Sequence, residues 1–156
     1  MEKEIMSPEW CQVAEVDLVY KTKVKPSQRP QITSHLDTCR ILRQIWDPAK
    51  IEMVEQFKVL FLNRANKVLG VFDASSGGIT GTVADPRIIL AAAIKANAVN
   101  LILCHNHPSG NLKPSKADEE LTNKIKFAAR YLDMQVLDHV IITAEEFYSF
   151  ANEGLL

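Results

Sequence analysis

Between Val99 and Asp118 the chain passes from the apolar run VNLILC into two histidines, His105 and His107, and then the Pro-, Gly- and Asn-containing stretch HPSGNLKP. That order dictates a buried strand, a loop and a new helix, because short apolar runs suit sheet interiors and Pro, Gly and Asn favour turns. Ser115 opens the helix and Asp118 lies in its first turn. Side chains alternate along a strand, so His105 and His107 project to the same side, roughly 6.5–7 Å apart along the chain. Along the helix, Asp118, Leu121, Ile125, Ala128 or Ala129, and Leu132 fall on one stripe, which places the carboxylate at the top of an apolar face. A carboxylate there needs a partner, since an unpaired buried charge is costly.

Two histidines and one carboxylate with a fourth position open is a catalytic zinc set, and one Zn2+ per chain is expected on His105, His107 and Asp118. Each part has a plainer reading alone. A histidine at a strand end is commonly structural, and Ser115-x-x-Asp118 matches a helix-capping pattern. The joint spacing favours the metal, and Ser115 can cap the helix while its hydroxyl faces the site. There is no HExxH and no H-x-E…P-C-x-x-C, which argues against zincin and nucleoside-deaminase chemistry. Cys104 adjoins His105 but alternation turns it to the opposite face, as core. His139 is either structural or a support for a ligand, and His35 reads as solvated.

The rest of the chain alternates strands and helices. Residues 13–22 read as a strand and 23–31 as a connector with two prolines. A helix capped by Thr33 or Ser34 carries Leu36, Cys39, Leu42 and Trp46 at helical spacing, and Asp47-Pro48 interrupts it. Strands are expected at 55–63 and 68–72, and a helix opened by Asp85-Pro86 precedes the strand at 99–104. The helix from Ser115 should run to about Asp133. A strand at 135–143 follows, and EEFYSFANEG closes the chain as a short helix ending at Gly154. This order gives an α/β domain, layered around one sheet. Residues 1–34 form an N-terminal strand and connector, and residues 35–156 the domain proper.

Composition excludes several functions. At 156 residues, 47% hydrophobic and 24% charged, the chain has the make-up of one ordinary globular domain. Its 18 basic and 19 acidic residues nearly cancel, which argues against nucleic acid as a partner. The basic stretch KTKVKPSQR reads as a solvated linker. The apolar stretch Ile88 to Ala98 is too short to cross a membrane, and the N-terminus lacks the apolar core of a secretory signal. Three scattered cysteines suit reduced thiols in a cytoplasm.

The string HNHPSGNLKPSKAD resembles the JAMM motif of the JAB/MPN metalloproteases, most closely the RadC branch. The likeness runs over about residues 50–150 and includes EQF, LNRANKVLG, HNHPSG, PSKAD and LDHVII. It implies a mixed sheet packed between helices, the cytidine-deaminase-like architecture, and hydrolysis of a peptide or isopeptide bond in a peptide or protein substrate. It also implies a glutamate upstream of the histidines as general acid/base for the attacking water. The matching residue is Glu55, on the face of Phe57, Val59 and Phe61 at the strand's mouth; Glu52 is the rival, before the strand. The chain departs from the ubiquitin-cleaving members at Asn106, where they carry Ser or Thr. It is also expected to lack long substrate-binding insertions and the N-terminal helix-hairpin-helix region of the longer RadC proteins. Two other readings are a DNA-repair-associated accessory protein and a metal-bearing scaffold without catalysis.

Overall fold

A central strand needs partners on both edges and apolar cover on both faces, and the run Asn100–Asn106 has all four. A computed structural model describes residues 20–77 and 83–156. Among these the elements are a short 3-10 turn at Pro26–Gln28, then α1 (His35–Ile45), β1 (Gln56–Leu62), β2 (Val68–Ser76), α2 (Pro86–Lys95), β3 (Asn100–Asn106), α3 (Lys116–Arg130), β4 (Gln135–Ile142) and β5 (Phe147–Ser149). The described strands form one sheet in the order β2-β1-β3-β4-β5. β3 pairs antiparallel with β1 and parallel with β4, so the sheet is mixed and α3 is the crossover between two parallel strands. This is the α/β architecture expected from the sequence.

Alternation divides the core in two. Phe57, Val59, Phe61, Leu101 and Leu103 face α2 and α3, where they meet Ile89, Ala93, Ile125 and Ala129. Leu60, Leu62, Ile102, Cys104, Val140 and Ile142 face α1, where they meet Leu42 and Trp46. Cys104 is therefore core on the face opposite His105, as alternation requires.

Ser34, rather than Thr33, caps α1, in a capping box with Asp37. The buried face of α1 runs through Thr38 and Leu42, while Leu36 is half exposed. The Leu36/Cys39 stripe is thus rotated from the observed contact, because Arg43 fixes the helix by donating to the carbonyls of Thr143, Ala144 and Glu146. β3 continues through His105 and Asn106 instead of ending at Cys104, since β4 pairs with it as far as Asn106↔Ile142. β2 likewise extends to Ser76, paired with Gln56.

The closing segment is not a helix. Thr143 and Glu146 form a tight turn, with backbone and hydroxyl bonds of 2.9 and 3.0 Å, that folds Phe147–Ser149 back as β5. Turns follow to Gly154, whose φ of 74° is left-handed. α3 ends at Arg130, and Leu132 lies beyond it, 43% exposed, off the stripe assigned to it. Of the expected strand at 13–22, residues 13–19 lie outside the described residues, and residues 20–22 carry no strand. Among the described residues no helix is long and apolar enough to cross a membrane.

Candidate metal centre

The strand end and the helix start meet at one point. His105 is the last but one residue of β3 and is 1% exposed, stacked on Phe57 at 5.9 Å between ring centroids. His107 is the first residue past the strand, half-buried, its amide donating to Ile142 carbonyl at 3.1 Å. The turn after it carries Gly110 at φ 79°, which a side chain would strain, and brings Asn111 carbonyl oxygen to His107 Nδ1. A carbonyl only accepts, so Nδ1 carries the proton and Nε2 presents its lone pair.

Ser115 caps α3. Its hydroxyl oxygen accepts from Asp118 N at 3.1 Å, and Asp118 Oδ2 accepts from Ser115 N at 2.7 Å. This capping box also aims the carboxylate: Asp118 Oδ1 lies 3.3 Å from His105 Nε2, and Oδ2 lies 3.7 Å from His107 Nε2. The two Nε2 atoms are 2.8 Å apart. Nitrogens so close repel unless they share a proton or a cation, and a carboxylate beside them adds negative charge. His105, His107 and Asp118 each offer one ligand atom within 4.8 Å of the others, and the group could hold a metal ion. The donor set, two imidazoles and a carboxylate, fits a catalytic divalent ion.

Charge in the cluster is mutually supported. Burial pushes Asp118 up, but hydrogen bonds from His105 and His107, which Nε2 can donate only while it carries a proton in place of a metal ion, outweigh it and hold the carboxyl far below its ordinary value. His107 is raised, chiefly by its hydrogen bond to Asp118, with Glu55 adding a smaller attraction. Burial drives His139 well below the ordinary histidine value, so it is neutral.

Glu55 precedes β1 by one residue and is half-buried. The register pairs Phe57 with His105, and two more residues along each strand set Glu55 across from His107. It therefore stands at the mouth of the site, and Gly77 N donates to its carbonyl at 2.8 Å. Glu52 is exposed in the turn before the strand.

Two residues that the sequence reading left without a role support these groups. Asn106 is fully buried on the opposite face of β3. Its Nδ2 donates to the carbonyls of Ile51 and Val54 at 2.7 and 2.8 Å, and its Oδ1 accepts from Gln56 N at 2.7 Å. Glu55 is thus bracketed by a clamp attached to the histidine-bearing strand. Thr122, 2% exposed, faces the sheet one turn below Asp118. Its i+4 spacing from Asp118 was the signal available in the sequence, hidden because threonine reads as polar.

An α/β sheet with a triad that could hold a metal ion at the end of its central strand defines the class of the protein. The chain belongs to the RadC-like JAB domain family, whose model matches residues 32–155. A UPF0758 protein of Flavobacterium johnsoniae is 46% identical over 125 residues, covering 80% of this chain and 53% of its own length. One from Chlorobium chlorochromatii is 42% identical over 105 residues, 67% of this chain and 47% of its own. The UPF0758 protein YfjY of Escherichia coli is 39% identical over 102 residues, 65% of this chain and 64% of its own. The chain thus spans about half the length of the Flavobacterium and Chlorobium relatives.

Proposed function

We propose that this domain is a zinc-dependent hydrolase that cleaves a peptide or isopeptide bond. The observation that carries the reading is the convergence of His105, His107 and Asp118 within 4.8 Å at a site whose mouth is flanked by Glu55. Membership of the JAB family, whose domains are often metal-dependent hydrolases, agrees with it. Zinc held by these three residues supplies Lewis-acid polarisation of a carbonyl and makes water nucleophilic near neutral pH.

The chain's own residues do the rest. Glu55 takes a proton from the attacking water and passes it to the leaving amine, a function suited to a half-buried carboxylate at the mouth. Ser115 accepts from Asp118 N through a lone pair, which leaves its hydroxyl proton free to donate to the developing oxyanion. Asp118 and the histidines keep their geometry because the strand end and the helix cap fix them.

The test is hydrolysis of a mixed peptide and isopeptide library by the purified chain, with zinc present or chelated. Glu55→Gln is expected to lower turnover by about 10²–10⁴-fold while keeping its zinc. Glu52→Gln, altered three residues upstream on the exposed turn, is expected to turn over normally. Loss of activity in Glu52→Gln with a normal Glu55→Gln would exchange the two roles. Loss of zinc from Glu55→Gln would make Glu55 a ligand.

A further inference from the structure

Inward of the triad a chain of polar groups runs through the core and returns to the site. His105 Nδ1 lies 2.7 Å from His139 Nε2, and His139 Nδ1 lies 2.6 Å from Thr122 Oγ1. Thr122 Oγ1 is 2.6 Å from the carbonyl oxygen of Asp118. His139 is fully buried, with Phe57 at its edge and Phe150 stacked on it at 4.6 Å, so little besides these partners can serve its ring nitrogens.

Counting protons fixes the direction. A carbonyl oxygen only accepts, so the single hydroxyl proton of Thr122 goes to Asp118. Thr122 Oγ1 then accepts from His139 Nδ1–H. His139 Nε2 is left with its lone pair and accepts from His105 Nδ1–H, which leaves His105 Nε2 bare toward the ligand cluster. The opposite order would break the Thr122–Asp118 bond and place a proton on His105 Nε2, where it would block a metal.

We propose that His139 and Thr122 are positioning residues that hold His105 in its metal-binding tautomer, with the chain anchored on the backbone of a second ligand, Asp118. The proposal rests on the reading of His105, His107 and Asp118 as metal ligands. It makes the partner of a ligating histidine another histidine, whose own tautomer is set by a helix hydroxyl. Ligand orientation and helix position are thereby tied together, since Asp118 supplies both a carboxylate to the cluster and a carbonyl to the chain.

The experiment is zinc affinity by competition with a chromophoric chelator, together with the imidazole NMR spectrum of the zinc-loaded chain. Thr122→Val keeps the shape of the side chain and removes the hydroxyl. It is expected to weaken zinc binding by about 10–100-fold, the usual cost of losing a ligand's supporting partner. His139→Phe should do the same, and His139→Gln, whose carbonyl can accept from His105, should recover much of the loss. The double variant Thr122→Val/His139→Phe should bind no more weakly than His139→Phe alone, because both changes cut one chain. The wild-type spectrum should show slowly exchanging Nδ1–H protons on His105 and His139, and Thr122→Val should lose the one on His139. Folded Thr122→Val and His139→Phe chains that bind zinc like the wild type, while His105→Ala does not, would overturn the proposal and leave the metal centre standing. A wild-type chain that binds zinc no better than His105→Ala would remove the metal centre and the proposal with it.

Discussion

Asn106 lies between two histidines and faces away from both, yet it uses both donors and its acceptor on the segment that carries Glu55. Asn106→Ala would orphan three backbone groups, at about 1–3 kcal/mol for each that stays dry. A loss of at least about 2 kcal/mol in denaturant unfolding is therefore expected. Asn106→Asp should be no better, because a carboxylate would face the carbonyls of Ile51 and Val54. An Asn106→Ala chain that unfolds at the wild-type midpoint would show that the clamp contributes nothing. The ligand residues were legible in the sequence because their spacing is local: alternation pairs His105 with His107, and the cap motif fixes Asp118. The partners of Asn106 were not, because they lie fifty or more residues away and are brought in only by the antiparallel pairing of β1 with β3.

At the scale of elements, α3 is held by the same residues that build the site. Ser115 satisfies an open amide of the first turn, and Asp118 returns the bond while facing the histidines. Stability and catalysis separate here by choice of substitution. Ser115→Ala should cost about 0.5–2 kcal/mol as a lost cap, whereas Ser115→Gly should cost only about a few tenths. Both remove the hydroxyl, so both should lower turnover, by about 10²–10³-fold if the hydroxyl serves as oxyanion donor. Thermal melts beside kinetics decide the matter: a Ser115→Gly chain as active as the unaltered one would reduce Ser115 to a cap. The element order of α1 through β4 was readable from periodicity and punctuation. The ending was not, since FYSF suits a helix face and an edge strand equally, and the Thr143–Glu146 turn decides for the strand. Nor was the rotation of α1, set by Arg43 reaching the backbone of that distant turn.

Across the whole molecule, the sheet separates support from chemistry. The α1 face packs Leu42, Trp46, Leu60, Ile102 and Ile142. The α2/α3 face is apolar along most of β3 and becomes polar at its end, where His105, His139 and Thr122 replace Leu and Ile in the same layer. Three polar groups fully buried in one apolar layer are costly unless each is paired, and here each is. Such a layer makes sense as the floor of a site rather than as packing. Alternation alone foretold the separation of Cys104 from His105. The depth of His139 was not legible, because its burial depends on Phe150 arriving from the turn after β5.

The central claim is that His105, His107 and Asp118 jointly hold one zinc ion. Elemental analysis of the purified chain, beside His105→Ala, His107→Ala and Asp118→Ala, measures it without any knowledge of substrate. The triad predicts one zinc per wild-type chain and severe depletion in each variant. Full zinc occupancy in all three variants, or none in a folded wild-type chain purified with zinc, would contradict it.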